Sequence, residues 1–172
     1  GTILDINVEL NATGQYTNAL SLRDFKLISP YGTVVDLAVS SSFGGAYSLS
    51  ATVFDDEAST TIGSGSAPYM GSFQPDGNLS DFDQESMTGT WQLWVYSSTN
   101  ESYNNLSITS WSITVEYNSS TPSDPPTTSG TTYDGSSFTS SLAGVTTSDL
   151  VISDAGTILD INVELNATGQ YT

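Results

Sequence analysis

Two acidic stretches carry the chemistry this sequence offers. FDDEA (54–58) sets Asp55, Asp56 and Glu57 side by side, and SDFDQE (80–85) sets Asp81, Asp83 and Glu85 at alternate positions. Calcium takes about six to eight oxygen ligands, best supplied by carboxylates and carbonyls on turns. An Asp-x-Asp-x-Glu run bent into a turn aims three carboxylates at one point. Neither run is an EF-hand loop, because the central Gly and the distal Glu are missing. The same residues also read as a solvated acidic loop whose Asp side chains cap their own backbone.

Other chemistry is largely excluded. The chain has no Cys and no His, which removes the usual nucleophile–base triads and zinc sites. Neither a Gly-x-Ser-x-Gly elbow nor a phosphate-binding loop occurs. Two acidic residues could in principle serve a glycosidase, but acidic pairs among β-strands are far more often turns or calcium ligands, so no enzyme is expected. Arg23 and Lys26 are the only cations against a formal net charge of −17. A phosphate-binding surface needs clustered Lys or Arg, so nucleic acid and anionic membranes are not expected partners. Lys26, the single lysine, is a candidate for an isopeptide crosslink to Asn or Asp.

No apolar run reaches the roughly eighteen residues of a spanning helix, and no signal-peptide pattern is visible. Sequons at Asn11, Asn78, Asn100, Asn105, Asn118 and Asn166 mark glycosylation candidates and fit an extracellular or cell-surface protein, although Ser/Thr/Asn-rich sequence also generates them by chance.

The elements that must position these groups read as strands. In TILDINVEL, Leu4, Ile6, Val8 and Leu10 alternate with Asp5, Asn7 and Glu9, one apolar face and one wet face. Trp91, Leu93 and Val95 alternate with Gln92, Trp94 and Tyr96, and Trp111, Ile113, Val115 and Tyr117 point inward along SWSITVEY. Trp91 and Trp111 therefore belong to the core. Trp94 and Tyr96 lie on the other face, as a surface for a sugar or a neighbouring subunit or as a patch covered by a loop. GTVVDLAV and LSATVF are shorter strands. Gly, Pro, Asn and Asp clusters separate the runs at the spacing of an all-β sandwich, and no helical period is found.

The first seventeen residues, GTILDINVELNATGQYT, recur without change at 156–172, a period of 155. Residues 118–132 (NSSTPSDPPTTSGTT) read as an extended Ser/Thr/Pro linker. Strand-like sequence resumes at Tyr133 and runs into the second copy. The chain thus reads as a window on a tandem array. The body at 1–117 would take its leading strands from a preceding copy, and 133–172 would supply the leading strands of the next.

Several stretches, in order across 1–117, resemble the P domain (P/Homo B domain) that follows the catalytic domain of kexin- and furin-like proprotein convertases and many bacterial subtilisin-like proteases. They are GTILDINVEL, LISPYGTVVDL, TVFDDEAST, SGSAPYMGSFQPDGNLSDFDQE, GTWQLWVYS and ITSWSITVEY. The segment around Val145–Asp154 looks like that family's leading strand. The resemblance implies a jelly-roll β-sandwich, often calcium-binding and without catalysis of its own, and adds Asp24 to the candidate ligands Asp55, Asp56, Glu57, Asp81 and Asp83. At 21–23, where the family carries Gly-Asp-Leu, this chain reads Ser21, Leu22 and Arg23, so a carboxylate of one family calcium site is absent. Two functions are expected. The first is a calcium-stabilised repeat of an extracellular fibre, stalk or filament, joined to copies of itself by donated strands. The alternative is an accessory P domain of a secreted protease or adhesin.

Overall fold

Alternation of apolar and polar residues gives each strand one face to bury, and two such sheets bury them against each other. The structure is a computed structural model that describes residues 1–100, 104–119, 127–140 and 143–153. The described residues form ten strands: β1 (Thr2–Gly14), β2 (Arg23–Ile28), β3 (Val34–Ala38), β4 (Ser48–Phe54), β5 (Gly71–Phe73), β6 (Gly89–Ser97), β7 (Leu106–Ser119), β8 (Thr127–Gly135), β9 (Phe138–Ser140) and β10 (Gly144–Ile152). The helical elements among the described residues are short 3-10 turns, including Leu20–Leu22 and Leu79–Phe82.

One sheet has the order β5-β4-β1-β7-β8, with β9 also paired to β7; the other has the order β10-β6-β2-β3. These strand pairs are antiparallel except β4 with β5, which is parallel. The expected all-β sandwich is what the chain forms. β1 is central in its sheet, held by β4 on one side (Val8↔Phe54) and β7 on the other (Val8↔Ile113, Leu10↔Trp111). The shared core joins both sheets and includes Ile6, Val8, Leu10, Phe25, Leu27, Phe54, Trp91, Leu93, Trp111 and Ile113. Trp91 and Trp111 are buried, as their strand parity predicts.

The segment read as linker and leading strands differs from expectation at both ends of the linker, because Asn118 and Ser119 still belong to β7. It differs also in its partner, because the strands within 133–153 pair with the body that precedes them and not with a following one. Residues 127–132 are not linker; they open β8, which pairs along β7 from Thr127↔Ser119 to Gly135↔Trp111. The run is rich in Thr, a β-branched residue that suits a pleated surface, and a hydroxyl contact between Thr114 and Thr132 at 2.8 Å adds to the ladder. β10 then crosses to the opposite sheet and pairs along β6, from Gly144↔Ser97 to Ile152↔Gly89. Residues 127–153 thus extend both sheets of the body at 1–119. The rest of the expected linker, 120–126, lies outside the described residues, as does the second copy of the first seventeen.

Candidate functional site

β1 brings Asp5 to the acidic stretches that the sequence singled out. Burial, and then the charges of Glu116, Asp55 and Asp83, raise the Asp5 carboxyl above its ordinary range, against a lowering contribution from the Ile6 backbone N–H. The Glu57 carboxyl is raised chiefly by its side-chain hydrogen bond with Asp55, with burial and Asp5 adding to it. That of Asp83 is raised by burial and by Asp56. Asp5, Asp55, Asp56, Glu57, Asp83 and Glu116 therefore form one acidic rim. Among the described residues, no three acidic side chains gather into a ready metal cage.

Several candidates already hold protein partners. Asp56 accepts from the backbone N–H groups of Leu79 (3.0 Å) and Ser80 (2.9 Å), tying the FDDEA turn to the 3-10 turn at Leu79–Phe82. Asp55 accepts from the Glu57 N–H at 2.7 Å, the self-capping arrangement of an acidic turn. Asp24 lies on the other sheet and accepts from the Ser40 N–H at 2.7 Å. Asp81 is exposed and does not contribute to the raised carboxyls. Asp5 was not among the sequence candidates, because it reads there as one more polar residue on a wet strand face.

The rim gives stability a pH dependence of known sign. A carboxyl whose folded pKa lies above its unfolded value holds its proton more tightly in the folded state. Its contribution therefore falls as pH rises from the ordinary carboxyl range near 4 through the raised folded values, and the penalty is complete above them. We expect the melting temperature to rise on mild acidification from pH 7. Asp5→Asn should raise it at pH 7 by about 1–3 °C and flatten that slope. Thermal melts of both proteins from pH 4.5 to 7.5 check this; parallel slopes would remove Asp5 from the rim.

A second feature is internal. Arg23, at the start of β2, is 0% exposed. Its Nη1 donates to the Ala19 carbonyl at 3.0 Å, and its Nη2 donates to the Ser140 carbonyl at 3.3 Å and to that of Asn104. Burial lowers its pKa from the ordinary guanidinium value. The departure from the family pattern at 21–23 is thus a buried cation that gathers carbonyls from three separate segments.

On the outer face of the second sheet, Trp94 and Tyr96 stack with centroids 6.0 Å apart and planes 15° apart. The Lys26 ammonium lies 5.4 Å over the Trp94 ring and 2.8 Å from Asp36. Tyr96 is 37% exposed, and Trp94 is half-buried. With the Lys26 and Asp36 side chains 30% and 40% exposed, the pair is an ion pair open to solvent. It lacks the dry surroundings that amide formation between the two groups needs. Of the sequons, Asn78 and Asn100 are exposed and Asn105 and Asn118 half-buried. Asn11 is committed: its Nδ2 donates to Glu9 and Ser110, and its Oδ1 accepts from the Ala51 N–H. Asn166 lies outside the described residues.

A family model described as the proprotein convertase P-domain matches residues 3–115. The chain belongs to that family. The match covers the body that the resemblance marked out and stops at the end of the buried run of β7. The P domain is a non-catalytic accessory domain of proteases and occurs in secreted ones. Neither the curated proteins nor the solved structures give a match. Among the described residues, no helix is long and apolar enough to cross a membrane.

Proposed function

We propose that this P domain is a non-catalytic module of a longer extracellular polypeptide, and that it serves as a structural repeat whose neighbours are joined through the strands at 127–153. One observation carries the reading: those strands extend both sheets of the body and run toward a second, identical copy of β1. The same backbone pairing along β7 and β6, offered to a neighbouring unit, would make the junction between units a strand-to-strand contact rather than a bare linker. The family match favours a second reading more directly, an accessory domain beside a protease or adhesin in the same polypeptide.

The acidic rim is the place for calcium in this proposal, with Asp5 joining Asp55, Glu57 and Asp83 as ligands. A cation there offsets mutual repulsion within the rim and between neighbouring units, since the 155 residues of one period hold 17 Asp and Glu against two cations, a net charge of −15. Arg23 plays the matching internal role, a fixed cation among carbonyls of the kind that calcium takes.

The test is the mass of the native material, denatured in chelator. A very large species whose proteolytic fragments differ by the mass of 155 residues plus glycan is expected for the repeat. A polypeptide that also contains a catalytic domain would support the accessory reading instead. Calcium in the same samples should raise the melting temperature more than sodium of equal ionic strength; an equal response would end the calcium part.

A further inference from the structure

β1 is central in its sheet, and the sequence holds a second copy of it. We propose that residues 156–172 are an interchangeable occupant of the β1 position, able to close the same sandwich in place of residues 1–17. This deepens the repeat reading, but it rests on the geometry of the body and not on the length of the native polypeptide.

The first argument is fit. The side chains that β1 buries are Ile3, Ile6, Val8, Leu10 and Ala12. The second copy carries Ile158, Ile161, Val163, Leu165 and Ala167 in the same order. The position also needs two glycines, one just before β1 and one at its end. A Cβ on Gly1 would stand 2.8 Å from the Asn118 carbonyl oxygen, and one on Gly14 would stand 2.1 Å from the Ala19 Cβ. Gly156 and Gly169 occupy the corresponding positions. Asn11, whose amide joins β1 to Ser110 and to the Ala51 N–H, has its counterpart in Asn166. Every packing and hydrogen-bonding demand of the position is thus met twice in one chain.

The second argument is reach. β10 ends at Ile152, paired with Gly89. β1 begins beside the same short stretch: Thr2 bridges to Ser86, and the Gly1 carbonyl accepts from the Met87 N–H at 3.3 Å. From Ile152 to Gly156 the chain takes four Cα steps through residues 153–155, a span of about 14 Å when extended. β10 therefore ends beside the entrance of the position that the first copy fills. Residues 18–172 then hold all the strands of the sandwich in permuted order, and closing so short a connection costs little chain entropy. The same junction fixes a choice in a tandem protein. Strands 127–153 can complete the body before them, as they do here, or the body into which they lead.

The test uses the full chain and three variants: Val8→Asp, Val163→Asp and the two combined. Val8 is fully buried, and an unpaired carboxylate there is not tolerated in the core. Val163→Asp should melt like the parent. Val8→Asp should remain a monomer by sedimentation and keep a cooperative transition within about 10 °C of the parent, because the second copy takes the position. The double variant should lose that transition. The proposal is overturned if Val8→Asp and the double variant behave alike, whether both unfolded or both folded, since residue 163 then contributes nothing. A Val8→Asp protein that folds only as a dimer overturns the intramolecular route. None of these outcomes alters the denatured-mass result, so a failure here is separable from a failure of the repeat reading.

Discussion

Replacing Arg23 with Leu should destabilise the fold by about 3–5 kcal/mol, although it exchanges a charged residue for an apolar one inside a core. Three carbonyls converge on the guanidinium: Ala19 from the turn after β1, Asn104 from the approach to β7, and Ser140 from the end of β9. An apolar side chain leaves them buried without donors, and each orphaned group costs about 1–3 kcal/mol. Hydrophobic transfer of the Leu side chain offsets part of this, which places the sum in the stated range. Arg23→Lys should recover only a fraction. An ammonium is a compact charge on a flexible stem and does not present the planar fork that reaches carbonyls on two sides. Urea unfolding of the three proteins at pH 7 checks this. A Leu variant within about 1 kcal/mol of the parent would mean that water replaces the guanidinium at these carbonyls.

Arg23 also shows how much of this molecule was legible in the sequence. Its parity was readable: Arg23, Phe25 and Leu27 alternate on one face of β2, and all three are buried. The burial of its charge was not readable, because a buried cation needs partners that no local pattern displays. Here those partners are backbone carbonyls up to 117 positions away. The strands themselves were plain, since Ile6 to Leu10 and Trp91 to Val95 carry a strict two-residue period. The exception is the start of β1, where the register shifts between Ile3 and Asp5 and Ile3 takes the core place expected of Leu4. β8 was not, because TTSGTTYDG has no apolar alternation and gains its place by pairing along an edge already formed by β7. Asp5 was hidden for a related reason. Its neighbours Asp55, Asp83 and Glu116 come from three other parts of the chain, and only the central position of β1 brings them together. The two acidic stretches were found from sequence, yet Asp56 proved to be tied to the Leu79 and Ser80 amides.

The contact between Trp111 and the strands at 127–153 carries the other large expected effect. Trp111 is buried on β7, and its Nε1 donates to Ser148 Oγ on β10 at 3.1 Å. That hydroxyl in turn donates to the Ser136 carbonyl at 2.9 Å. One indole thus fastens β10 and the end of β8 to the body. The indole also lies where a side chain on residue 135 would have to go: a Cβ on Gly135 would stand 2.0 Å from Trp111 Cε2. Trp111→Ala should cost about 3–5 kcal/mol, the range for deleting a large buried aromatic, and it should loosen the body and the added strands together. Gly135→Val should act more selectively. It drives the end of β8 off the indole, so the strands at 127–153, and the β6 and β7 amides paired to them, lose their protection while β1 and β4 keep theirs. Amide hydrogen exchange resolved by segment distinguishes the two. Global loss of protection is expected for Trp111→Ala and local loss for Gly135→Val. If the valine variant unprotects β1 and β4 as well, the added strands are an integral part of the sandwich rather than a separable junction, and the units of a tandem protein would then stand or fall with their neighbours.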